Sequence, residues 1–242
     1  MNIFTIGDLH LSHGTTKPMD VFYGWEGYVD KLSVNWEKRI KDDDMVIIPG
    51  DISWAINFDE LVPDLDFLEK LPGKKLLLKG NHDYWWQTSK KLRALVDEHH
   101  YKNLIFLHND ALISKDKSIA ICGGRGWKCP GEKDFKREDE VIYKRELLRL
   151  ELSLKKGGDS EKWVFMHFPP FNSKKQNSGF LELLYKYEVT RCFYGHLHAQ
   201  KLREAHEGVF EGFPGLKTEF KLVSGDRLNF NPLLIKNDFE FF

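Results

Sequence analysis

The stretch "LLLKGNHDYWW" (Leu76–Trp86) decides how the rest of the chain is read. Its apolar start reads as a buried strand, and Gly80 ends that strand. Asn81, His82 and Asp83 then arrive together on the turn, each able to bind a metal or carry a proton. The same arrangement recurs along the chain. "NIFTIG" (Asn2–Gly7) is followed by Asp8 and His10, and "MVIIPGD" ends in Asp51. "WVFMHFPP" delivers His167 ahead of a double proline, and "RCFYGHLH" ends in His196 and His198. In open α/β sheets, ligands settle in the crevice beyond the carboxyl ends of strands. If these ends lie together, one crevice collects Asp8, His10, Asp51, Asn81, His82, His167, His196 and His198.

The segments between these tips alternate with them. Tyr28, Leu32, Trp36 and Ile40 recur at four-residue steps and predict a helix. "DELVPDLDFLEKL" predicts a second, with Pro63 in its early turns, and "TSKKLRALVDEHH" a third, capped by Thr88 or Ser89. "LIFLH", "ALIS" and "SIAICGG" follow closely and suggest an antiparallel portion. Glu138–Lys156 carries the longest helical pattern and stops at Gly157–Gly158. "FLELLYKY" is a further helix, and beyond Ala199 the chain reads as short strands and turns. The sum is an α/β chain, a mixed sheet or two stacked sheets flanked by helices, organised as a single domain over residues 1–242.

Spacing and residue type together point to metal chemistry. Side chains at i and i+2 of an extended segment point the same way, so Asp8 pairs with His10 and His196 with His198. Asp and Asn oxygens with His nitrogens, and no thiolate, suit Mn, Fe, Zn or Ni better than a zinc finger or a calcium cage. The three cysteines, Cys122, Cys129 and Cys192, match no zinc-knuckle spacing and read as buried or half-buried thiols in a reducing compartment. A net charge of −1 disfavours a dedicated nucleic-acid partner without excluding a nuclease. "MNIFTIGDLH" has neither a basic nor a long apolar leader, and no apolar run is long enough to span a membrane, so the expected location is cytoplasmic.

In this order the motifs resemble those of the calcineurin-like metallophosphoesterase superfamily: D-x-H, G-D, G-N-H-[DE], H, then G-H-x-H. Here they stand as Asp8-Leu9-His10, Gly50-Asp51, Gly80-Asn81-His82-Asp83, His167 and Gly195-His196-Leu197-His198. The resemblance implies a four-layer α-β-β-α sandwich of two mixed sheets and a centre of two divalent or trivalent metal ions, with Mn favoured. Asp8, His10 and His198 would hold one ion, Asn81, His167 and His196 the other, and Asp51 would bridge them. His82 would protonate the leaving group, with Asp83 orienting it. A bridging hydroxide would attack a small phosphodiester or phosphomonoester, since metal binding lowers the pKa of water from about 15.7 to about 7. The alternatives are a non-catalytic scaffold of the same fold, or a nuclease. "GDISWAI" puts Trp54 where Ser/Thr protein phosphatases of this superfamily carry an aspartate, which argues against that subclass. Arg125 in "GGRGW" and His13 in "DLHLSHG" are candidate substrate contacts, and Trp54, Tyr84, Trp85 and Trp86 are candidates for stacking or for the core.

Overall fold

The computed structural model of the chain describes residues 1–241. Its contacts divide it into two compact units: Met1–His108 with Val223–Phe239, and Asn109–Leu222 with Glu240 and Phe241. Each unit has its own mixed sheet and its own apolar core.

In the first unit, strands β1 (Ile3–Thr5), β2 (Met45–Pro49), β3 (Lys74–Leu78) and β4 (Leu104–Phe106) run parallel. Parallel neighbours need crossovers, supplied here by helices α1 (Tyr28–Arg39), α2 (Phe58–Lys70) and α3 (Ser89–Glu98). The chain's last strand, β11 (Leu233–Lys236), returns antiparallel beside β1. Helix α1 buries Tyr28, Leu32 and Trp36, the stripe read from the sequence. Asn57 caps α2 by accepting the Glu60 N–H, and Thr88 rather than Ser89 caps α3. Pro63 falls in the second turn of α2, slightly deeper than the first turn where proline costs least.

The second unit orders its sheet β5-β6-β7-β8-β10-β9. Strands β6 (Ile119–Gly124), β7 (Glu161–Met166), β8 (Arg191–Tyr194) and β10 (Glu219–Leu222) are parallel; β5 (Ala111–Ile113) and β9 (Gly208–Val209) run antiparallel at the edges. Helices α4 (Arg137–Lys156) and α5 (Gly179–Lys186) make the crossovers. The stretch expected to be antiparallel therefore splits. Strand β4 extends the first unit's parallel sheet because α3 turns the chain back, and only β5 and β6 form an antiparallel pair. Cys122, Cys129 and Cys192 are all buried and reduced, and burial pushes the thiols of Cys122 and Cys129 up to about 12.

Two buried polar residues stand out in the first unit. Asp44 is buried and accepts N–H bonds from Asn2 (2.6 Å) and Lys41 (3.0 Å). Lys75 lies wholly buried on the interior strand β3, its Nζ bonded to the Leu71 carbonyl. Desolvation lowers the Lys75 pKa to about 8, against the pull of Glu69 and Asp42. A lysine whose folded pKa is depressed gives up its proton in the folded state first, so this group's contribution to stability improves as pH rises from about 8 towards the unfolded value. Lys75→Met should accordingly raise thermal stability at pH 7 by about 1 kcal/mol or more. The gain should shrink in melts recorded near pH 10, and a gain independent of pH would contradict this reading.

Candidate metal centre

In the first unit the candidate ligands stand on the tips of adjacent parallel strands. After β1, Gly7 bonds to the Val223 carbonyl (2.7 Å) and Asp8 to that of Gly50 (3.0 Å), while His10 bonds to that of Asp51 (2.9 Å). The first two motif loops thus continue pairing beyond the sheet. Asp8, His10 and Asp51 all have left-handed backbone, with φ of 56°, 45° and 50°. Each such non-glycine residue costs about 1–2 kcal/mol, and strain of this kind clusters at functional sites. Asp8 and His10 do share a side, as expected, but through left-handed turns rather than through the alternation of an extended strand.

The carboxylate of Asp51 sits at the middle of this cluster. Its Oδ1 accepts the His82 N–H at 2.8 Å. Its Oδ2 lies 3.7 Å from His10 Nε2 and 4.0 Å from His82 Nε2. A ligand atom of Asp8 lies within 4.8 Å of one on His10 and of one on Asp51. Gly80 is what permits this approach: a Cβ there would stand 2.1 Å from both the nitrogen and Oδ1 of Asp51. Any side chain at Gly80 would displace the carboxylate.

Asp83 ties the second and third motif loops together. Its Oδ2 accepts the Gly80 N–H (2.7 Å), and its Oδ1 accepts those of Ile52 (2.9 Å) and Ser53 (3.2 Å). Asn81 follows Gly80, half-buried. The His82 side chain is 32% exposed, and Trp54 packs over its ring with centroids 4.3 Å apart. The same indole stacks on His10 at 5.0 Å. Of the remaining aromatics, Trp85 and Trp86 belong to the core and Tyr84 is exposed.

In the second unit, His167 and His196 follow the neighbouring parallel strands β7 and β8. Backbone bonds continue past the sheet here too, from His167 to Gly124 O (3.3 Å) and from Gly195 to His167 O (3.0 Å). His196 Nδ1 and His167 Nε2 are 3.3 Å apart. His167 is fully buried, His196 has φ of 71°, and Phe168 packs on the His196 ring at 4.0 Å. His198 is half-buried two residues on.

The two candidate substrate contacts each have a fixed partner. Arg125 donates to the buried Glu146 carboxylate at 2.8 Å and lies over the Trp127 ring. His13 is held through Nδ1 by the buried Asp64 carboxylate at 2.8 Å, and Asp64 also receives the Ser53 hydroxyl. Asp64 and Glu146 were not among the residues singled out from the sequence. Each is one acid on an amphipathic helix, and nothing in the local pattern separates it from a solvated neighbour.

No curated protein matches this sequence. Among solved structures, a protein of unknown function from Aquifex aeolicus aligns over 96% of this chain and 94% of its own, with TM-score 0.51 and 17% identity. The phosphopantetheinyl hydrolase of Mycobacterium tuberculosis aligns over 98% and 96%, with TM-score 0.56 and 14% identity. At these identities the likeness is one of fold. The family model for calcineurin-like phosphoesterases matches residues 1–200. The chain belongs to the calcineurin-like phosphoesterases, and its two mixed sheets with flanking helices are an α/β fold of that kind.

Proposed function

We propose that this chain is a hydrolase of phosphate esters, phosphodiesters ahead of phosphomonoesters, that depends on two divalent cations. The reading treats residues 1–242 as one working domain. Asp8, His10 and His198 would hold one ion, Asn81, His167 and His196 the other, and Asp51 both. The observation that carries it is the Asp51 carboxylate, buried within 4.8 Å of a second buried carboxylate, Asp8, with two imidazoles facing its Oδ2.

The donors suit such ions. Two carboxylates buried this close repel each other, and a cation relieves that cost. Two imidazole nitrogens 3.3 Å apart are likewise well placed to turn towards a shared positive charge. Oxygen and imidazole donors without thiolate fit manganese, iron, zinc or nickel, and manganese is the proposed ion. Once bound, the ions would supply Lewis acidity and a water that ionises near neutral pH.

The chain's own residues do the rest. His82 is partly exposed and so reaches the substrate, and it would donate its proton to the departing alkoxide. Trp54 packs against that ring, and the Asp51 carboxylate holds the His82 backbone N–H. Asp83 acts through the backbone, holding the loop of His82 against the loop of Asp51. His13, oriented by Asp64, keeps Nε2 to meet a phosphate oxygen, and Arg125 is the second proposed contact. Among the described residues no helix is long and apolar enough to cross a membrane.

The test is turnover after chelation. Adding Mn²⁺ should restore hydrolysis of bis(p-nitrophenyl) phosphate, with a higher kcat/KM than for p-nitrophenyl phosphate. Hydrolysis of neither ester with any divalent ion would make the chain a scaffold. Steeply salt-dependent binding and cleavage of DNA or RNA would instead mark a nuclease.

A further inference from the structure

Helix α4 is the longest in the chain and packs on the second unit through Tyr143, Glu146, Leu150, Ser153 and Leu154. Its outward face carries Glu138, Val141, Arg145, Leu148, Leu152 and Lys155, all exposed. Successive members are three and four residues apart in alternation, which is the spacing of a coiled-coil seam. Val141, Leu148 and Leu152 are 69%, 64% and 50% exposed on a face that a solvated helix fills with polar residues. Among the described residues, none of these three side chains belongs to the unit's own core.

We propose that this seam pairs two copies of the chain, with their α4 helices antiparallel. The order of the residues argues for a second copy over an unrelated partner. Turned end for end about an axis between Glu146 and Leu147, the seam meets itself in register. Glu138 then faces Lys155, Val141 faces Leu152, and the aliphatic stem of Arg145 covers Leu148. A parallel pair would set Glu138 against Glu138 and Lys155 against Lys155, so the charged ends select the antiparallel arrangement. Beside the seam, a groove between α4 and α5 has Leu147 and Leu183 in its walls, with Lys144, Glu182 and Lys186 around them. It offers holes for the partner's knobs. One helix pair buries less than a standard interface of about 1,600 Å², so the dimer should dissociate in the micromolar range. The proposal is independent of the metal centre.

Sedimentation of the full chain across a micromolar dilution series tests it. The chain should run as a dimer that dissociates on dilution. Leu148→Arg, which sets an arginine against Arg145 of the second copy, should weaken pairing by at least about tenfold while the circular dichroism stays unchanged. Glu138→Lys and Lys155→Glu should each weaken it, and the double exchange should restore it, because the pair is then reversed in both copies. A monomer throughout the series would overturn the proposal. So would a dimer indifferent to Leu148→Arg, or a double exchange no tighter than its single variants.

Discussion

Asp51→Asn should lose its metal as well as its turnover. The amide keeps an oxygen for the His82 N–H, so the loop geometry set by that 2.8 Å bond should survive. What disappears is the negative charge, and with it the acceptor able to face two cations at once. Metal affinity should fall by about 100-fold or more, beyond the about 10–100-fold typical of groups that only support a ligand. Titration calorimetry with Mn²⁺ on the chelated protein, alongside elemental analysis of the loaded variant, reads this directly. An Asp51→Asn protein that keeps its full metal content would remove Asp51 from the bridging role.

His82→Ala separates the acid from the ligands. His82 faces Asp51 Oδ2 at 4.0 Å but is the most exposed imidazole of its cluster, with His10 nearly closed off from solvent. The alanine variant should therefore retain its ions and lose at least about 100-fold in kcat. The loss should be smaller for p-nitrophenyl esters, whose leaving group needs little protonation, and larger for alkyl esters. Undiminished hydrolysis of an alkyl phosphate ester by His82→Ala would rule the residue out as the acid. Loss of metal from the same variant would make it a ligand instead.

Some of this was readable from the sequence because it is local. An apolar run closed by glycine and then by an amide, an imidazole or a carboxylate, or closed directly by His167 after β7, announces a strand tip, and such residues follow β1, β2, β3, β7 and β8. The helical stripe of α1 and the buried cysteines were readable for the same reason, as periodicity and residue type. The backbone of the tips was not. Asp8, His10 and Asp51 take left-handed φ because the loops pair with one another beyond the sheet, and that pairing is tertiary. Asp83 was read as a partner for the His82 ring; that its carboxylate also receives three backbone N–H groups was not legible, because their positions depend on how the second loop folds back. Asp44, Asp64 and Glu146 were invisible because a buried acid in a turn or a helix has the same spelling as a solvated one. The parallel placement of β4 depended on the direction in which α3 returns the chain, and the short apolar run "LIF" carries no trace of it.

Diffraction at the manganese absorption edge, from crystals grown with Mn²⁺, tests the central claim most directly. The account predicts two anomalous peaks about 3.5–4 Å apart. Asp51 should lie between them, Asp8, His10 and His198 around one, and Asn81, His167 and His196 around the other. A single peak, or peaks away from these residues, would contradict it.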